Sequence, residues 1–455
     1  MLRPPARAPR AGLPAAAGVV LATVLWVAQY RAWWELELGD LPVYERTFRL
    51  IALGELPYAD FRLEYPPLAA VLFWVAGVLP GGYALGFSAL MLVCLAVTVV
   101  ATAGSARALG LGPRAEWAGA LVAGASPALL GPLVQTRYDL AVAALLALVV
   151  RALVAGRWRT VWVLLGVATL LKLVPLVLAP LVLVAHARAR GWPTAARDAA
   201  LAVGVVAAGL APAVAASPRG AWQVVAYHLE RPLQIESLGA AVLLTLHHAA
   251  GTGLQHVTSY GSDNLTGTLP DALATLGSLL SVAVLVLATR AAARRPRGDA
   301  LAEARATVAV LAATLTALVA LGKVLSPQYL LWLVPLVSLA GPRRGPRAAL
   351  VLAVAMVLSA EVFPERYRAL TEEFALTPVV LLGVRDLLLV ALAVLVWPVR
   401  RNTLTPSSWK TRRMSGRARS AASVAARSPS SALMVVSGRR RSTTTHSASR
   451  TTGNV

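Results

Sequence analysis

Between Gly39 and Pro67 the chain reads GDLPVYERTFRLIALGELPYADFRLEYPP. Asp40, Tyr44, Glu45, Tyr58, Asp60, Glu64 and Tyr65 gather there, with Arg46 and Arg62 between them. A carboxylate at a membrane boundary can take a proton from an attacking hydroxyl. Asp40 suits that role, or it is an ordinary acid at a helix end. Asp60, Glu64 and the phenols Tyr44 and Tyr65 suit the binding of sugar hydroxyls. Equally, Asp60 or Glu64 can pair with Arg62, and Glu64 can favour the positive N-terminus of the helix that Pro66 and Pro67 open. A passage this rich in polar groups, lying against an apolar run, exceeds what joining two helices requires.

Further polar groups punctuate the apolar chain. Arg137 and Asp139 open an apolar run, as headgroup ligand and helix cap or as members of a site. Of the 43 basic residues only Lys172, Lys323 and Lys410 are lysines, and the first two lie inside apolar runs, where an ammonium is costly. Lys172, in LLKLVPLVLAP, suits a cation that receives a lipid phosphate, or one that snorkels to the interface. Its neighbours Pro175 and Pro180 break a simple helix. Glu236 lies in RPLQIESLGAA with Arg231 and Gln234. The stretch KVLSPQYLLWLVP offers Lys323 and Gln328 to a phosphate, while its Tyr329 and Trp332 also suit an interfacial aromatic belt.

The elements that must hold these groups are apolar helices. The chain has 455 residues, 57% of them hydrophobic and 14% charged, the latter about half the usual share. The charges bunch between long apolar runs, which is the pattern of an all-α polytopic membrane protein. Twelve spans are expected, at about 11–30, 83–106, 116–134, 139–155, 160–171, 173–186, 198–216, 271–293, 303–321, 325–341, 347–361 and 378–399. A short helix follows Pro67, in or dipping into the outer leaflet. With that register the arginine clusters fall on one side, which the positive-inside rule makes cytoplasmic. The polar stretches fall on the other: 31–66, 135–139, the surroundings of Lys172, 217–270, 323–329 and 361–377.

The organisation expected is a basic cytoplasmic N-terminus (1–10), a membrane domain (11–401) with a long first outer loop (31–66), and a disordered basic cytoplasmic tail (402–455). Both termini are then cytoplasmic, in a multi-pass protein of the cell membrane. The net charge of +22 flanks spans and fills the tail, which fits anionic lipid rather than nucleic acid. The lone Cys94 allows no internal disulfide. No Walker loop, dinucleotide fingerprint, nucleophile elbow or metal-ligand spacing is present, so no metal or cofactor is expected. His247, His248 and His256 form no ligand pattern, and Asn264-Leu265-Thr266 is a weak glycosylation sequon.

Taken together, GDLPVY, GELPYADFRLEYPPLA, QTRYDLAVAAL, LLKLVPLVLAPLVL, RPLQIESLGA and KVLSPQYLLWLVPL resemble the polyprenyl-phosphate-sugar-dependent glycosyltransferases of the GT-C superfamily. The resemblance is closest to glycosyltransferase family 87 and covers about residues 12–400. It implies a GT-C fold, a catalytic acid in the first outer loop and a polyprenyl-phosphate sugar as donor. The family's loop acid falls on Asp40, and its donor-phosphate contacts fall on the Lys172 and Lys323 stretches. Characterised relatives transfer mannose with inversion, giving α products on glycolipid acceptors. A flippase of lipid-linked sugars, with no bond made, is the alternative.

Overall fold

A computed structural model describes residues 12–34 and 39–398. The expectations for residues 1–10, for 35–38 of the first polar loop and for the tail 402–455 lie outside the described residues.

The chain opens with α1 (Leu13–Trp34), followed by α2 (Leu41–Ala52), a polar turn, α3 (Pro67–Val78) and α4 (Tyr83–Ala108). Next come α5 (Pro113–Gly124), α6 (Ser126–Leu130) and α7 (Leu133–Thr136). These three share the span expected at 116–134. Pro127 enters the first turn of α6 and Gly131 adopts φ 67°, so one helix cannot continue through both. Then follow α8 (Asp139–Val154), α9 (Trp158–Leu171), a 3₁₀ turn (Val174–Leu178), α10 (Ala179–Arg190) and α11 (Trp192–Ala216). Lys172 is extended between α9 and that turn, at φ −155°, where Pro175 denies the helix a donor.

The long polar segment after α11 is folded. It carries α12 (Pro218–Glu230), β1 (Leu233–Gln234), α13 (Leu238–Ala250), β2 (Gln255–Ser259) and β3 (Ser262–Thr266). The strands form one antiparallel sheet in the order β1-β3-β2, with Ser259 opposite Ser262. Tyr260 and Gly261 turn the hairpin at φ 54° and 62°, the positive pair that a two-residue type I′ loop needs. This sheet is a small departure from an all-helical reading. Asn264 of the sequon is fully buried in β3, where its Nδ2 donates to both Ser259 and Ser262.

The remainder is α14 (Thr268–Arg294), α15 (Ala300–Leu321), a 3₁₀ turn (Pro327–Tyr329), α16 (Leu330–Val337), α17 (Arg344–Val362), α18 (Tyr367–Thr371) and α19 (Leu376–Val396). Among the described residues, α1, α4, α11, α14, α15, α17 and α19 are each long and apolar enough to cross a membrane. The protein is thus a helical, polytopic membrane protein. The other apolar pieces are shorter; α9, at 14 residues, reaches only about 21 Å.

Packing fixes two ends. At one, arginines tie the helix junctions together: Arg107 to Glu116 at 2.8 Å, Arg188 and Arg295 to Glu303 at 2.8 and 2.7 Å, and Arg305 to the Leu109 carbonyl at 2.7 Å. Between the ends, small residues let helices close up. A Cβ on Gly124 of α5 would run into the Gly18 carbonyl oxygen of α1, the tight approach that small residues permit in lipid. The opposite end holds the sheet, α2, α12 and a large cavity.

Candidate active site

That cavity measures about 910 Å³. Its lining draws on the turn before α3, the α7–α8 corner, Lys172, the α12–β1 link, the hairpin and the turn before α16. Stretches far apart in the sequence therefore meet around one space. Asp40, Tyr44, Glu64, Tyr65, Arg137, Asp139, Lys172, Glu236, Gln328 and Tyr329 all line it. Asp60 and Lys323 do not. Asp60 is exposed and accepts from its own loop, the Leu56 N–H, at 2.7 Å. Lys323 donates to the Leu229 carbonyl at 2.7 Å, near the C-terminal end of α12, where a cation is favoured.

Asp40 immediately precedes α2. Its Oδ2 pairs with Nη1 of Arg137 and accepts from the Tyr44 hydroxyl at 3.1 Å. Both contacts use Oδ2, which leaves Oδ1 to receive a proton. Tyr44 is 1% exposed and stacks on Phe73 with ring centroids 4.3 Å apart. Burial holds its phenol well above the usual range, so it stays a donor to the carboxylate. Tyr65 and Tyr138 meet edge to face at 5.3 Å beside it, completing an aromatic wall.

The Lys172 ammonium is already occupied. It donates to Asp139 Oδ1 at 2.7 Å, and the same oxygen accepts from Trp332 Nε1 at 2.8 Å. The rings of Tyr138, Trp332 and Tyr329 surround the ammonium, with centroids at 4.8, 5.0 and 5.2 Å. Each such contact is attractive, and together they compensate a cation that is largely buried. The cluster ties α8, the 3₁₀ turn after α9 and α16 into one wall.

Arg231 differs from Lys172. Its Nη2 donates to Ser262 at 2.8 Å and its guanidinium stands 5.7 Å from the Tyr227 ring, but Nε is buried with no hydrogen-bond partner. Arg46 and Arg62 line the same cavity and are exposed. Glu236 is 3% exposed; Gln234 Nε2 reaches its Oε2 at 3.3 Å, and Oε1 has no partner. Burial outweighs the nearby Arg385 and Arg137 and pushes this carboxyl from the usual 4.5 up to about 7.

A pH dependence follows. The folded state holds the Glu236 proton more tightly than the unfolded chain, so the associated stability is complete below pH 4.5 and is lost as pH rises through about 7. Glu236→Gln is expected to flatten this part of the apparent Tm against pH curve and to be more stable than wild type at pH 8. A Gln variant with the wild-type slope overturns the assignment.

Among the described residues, no cluster of three or more His, Cys, Asp or Glu is placed to hold a metal ion. Tyr138, Tyr227, Arg231, Asp263 and Tyr367 line the cavity without having been singled out as site residues. Tyr138 and Arg231 could have been found, since each lies inside a polar stretch read for its neighbours. Tyr227 and Tyr367 also lie in stretches read as polar, 217–270 and 361–377, but no motif there marks either phenol.

The family model of glycosyltransferase family 87 matches residues 63–327, more than half of the chain. The chain belongs to glycosyltransferase family 87. It is a membrane glycosyltransferase, and so takes a sugar donor and an acceptor. A comparison with curated proteins finds none that matches. The family 87 match begins after Asp40 and Tyr44 and ends before Gln328 and Tyr329, yet these four share one cavity with the matched residues.

Proposed function

We propose that the protein transfers a single sugar, mannose, from a polyprenyl phosphate to a hydroxyl of a lipid-linked or cell-envelope glycan, with inversion to an α product. The observation that carries this reading is the cavity itself. At about 910 Å³ it lies near the upper end of ligand sites, with room for a donor sugar and an acceptor together. Asp40 stands in one wall, and in another stands Arg231, whose Nε has no hydrogen-bond partner among the described residues.

In this mechanism Asp40 takes the acceptor hydroxyl proton while that oxygen bonds to the anomeric carbon. The bond from the anomeric carbon to the phosphate oxygen breaks, and its electron pair leaves with the phosphate. One displacement inverts the centre. Arg137 and Tyr44 hold the base in place. Arg231, with Arg46 and Arg62 at the rim, meets the charge that grows on the phosphate. Glu64, Tyr65, Gln234 and Glu236 bind sugar hydroxyls. No step uses a metal.

The same reading takes a GT-C arrangement with twelve crossings, the seven long helices being joined by α5–α7, α8, α9, the turn with α10, and α16. The arginine-rich junctions then face the cytoplasm and the cavity opens outside, where lipid-linked donors are used. Polar residues at one depth in lipid need such a wetted space.

The test is transfer of labelled mannose from polyprenyl-phosphate mannose to a lipid acceptor by purified protein in vesicles, beside nucleotide-linked mannose. Transfer from the lipid-linked donor alone is expected. Transfer from the nucleotide donor overturns the donor class, and export of the lipid-linked sugar without bond formation favours a flippase. Arg231→Ala is expected to lower kcat/KM for the donor by about 10²–10³-fold. An unchanged value removes Arg231 from the phosphate.

A further inference from the structure

Arg385 and Asp386 lie in the middle of α19, beyond the stretch that the family model matches. Arg385 is 1% exposed and Asp386 is completely buried. Nine residues separate Arg385 from the start of α19, which is roughly 14 Å of helix. Ionised groups at such a depth are expensive unless they are used. Arg385 Nε lies 2.8 Å from Asp386 Oδ1, but the contact is not aligned as a hydrogen bond, so the two attract chiefly through charge. The aligned bond goes elsewhere: Arg385 Nη2 donates to the Glu236 carbonyl at 2.6 Å.

That carbonyl belongs to the short segment between β1 and α13. The segment's other backbone ties are known. Gln234 N–H donates to the Lys323 carbonyl and Ile235 N–H to the Asp263 carbonyl, both at 3.0 Å, and Ser237 N–H donates back to Gln234. All three are made by the segment's amides, and the Ser237 carbonyl accepts from the Ala241 N–H. The Glu236 carbonyl, two residues before α13, is held by the guanidinium alone among the described contacts. A buried ion pair seldom stabilises a fold more than well-packed apolar residues would, so its presence here calls for a positional use.

We propose that Arg385 and Asp386 are positioning residues: Asp386 neutralises the guanidinium, and the guanidinium pins the Gln234–Ser237 segment so that Glu236 stands in the cavity wall. The consequence for transfer rests on Glu236 binding a sugar hydroxyl; the pinning itself does not. The site thereby extends to the last helix of the bundle.

The decisive variant is Arg385→Met with Asp386→Leu, which removes both charges together and avoids leaving either one buried alone. Amide hydrogen exchange and transfer kinetics are measured on the full chain in vesicles. The expected result is an apparent Tm close to wild type, with the Ile235 and Ser237 amides exchanging about 10-fold faster or more. That is the scale of one charge-assisted hydrogen bond. Sugar-substrate KM rises by a similar factor while kcat changes less. Arg385→Lys, which keeps a cation near the carbonyl, restores part of the protection.

Exchange in the double variant that matches wild type overturns the proposal. So does global unfolding of the double variant, because the pair then serves the whole fold. Faster local exchange with unaltered KM overturns the link to Glu236. If wild type transfers no sugar from any donor, the reading of the reaction fails while the exchange measurement still decides the pinning.

Discussion

Asp40→Asn is expected to leave the protein folded and to lower kcat by about 10²–10⁴-fold, the usual contribution of a positioned general base. The amide is a sound control because its oxygen still accepts from Tyr44 and Arg137, the two groups that hold Asp40 Oδ2. What it loses is the capacity to take a proton. Donor binding, followed by protection of the bound lipid or by thermal shift, should remain within about twofold, since the phosphate meets other residues. The reaction also tolerates a base paired with an arginine. As the sugar develops oxocarbenium character the attacking hydroxyl becomes acidic, so a weak base held in position is sufficient. Full transfer by Asp40→Asn would remove the residue from the chemistry and direct attention to Glu64, the other acid of the same loop that lines the cavity.

Much of this site was legible in the sequence because lipid makes polar residues conspicuous. Lys172 stood out as a lysine in an apolar run of an arginine-rich chain, and the prolines behind it marked the break between α9 and α10. What it bonds to was not legible. Asp139 lies 33 positions away and Trp332 comes from α16, 193 positions beyond Asp139, and no local pattern encodes such a meeting. The same limit explains Asp60. Its acidity and position match those of Glu64, but a left-handed Tyr58 at φ 73° folds the loop back so that Asp60 closes its own turn.

Span lengths misled for a related reason. Hydropathy over 116–134 reads as one helix, yet Pro127 and Gly131 divide it into pieces that end beside the cavity, bringing Arg137 to Asp40. The pair Arg385–Asp386 shows the converse. It lay in plain view inside an expected span, where ionisable residues imply a use, but its partner, the Glu236 carbonyl, is a backbone atom 149 positions away. Sequence reading identifies which residues are costly. Only the fold reveals what the cost secures.

The Lys172–Asp139 pair gives the second large effect. Removing one member, by Lys172→Met or Asp139→Leu, leaves a buried charge unpaired and is expected to destabilise the protein by about 3–5 kcal/mol. For a chain of this size, at about 2.1 cal/mol/K of unfolding entropy per residue, that is an apparent Tm lower by about 3–6 °C. The double variant Lys172→Met/Asp139→Leu removes both charges and should recover most of the loss, because well-packed apolar side chains replace such pairs at little cost. Recovery will be incomplete, since Trp332 Nε1 loses its acceptor and the three rings lose their cation. Donor kinetics of the double variant then separate two uses of the same lysine. Where the ammonium only binds the wall together, the refolded double variant transfers sugar with a donor KM near that of wild type. Where the ammonium also meets the departing phosphate, stability returns but kcat does not. The observed contacts favour the first outcome: Asp139 already neutralises Lys172, so its field at the phosphate is that of a dipole, weaker and shorter in range than the charge of Arg231.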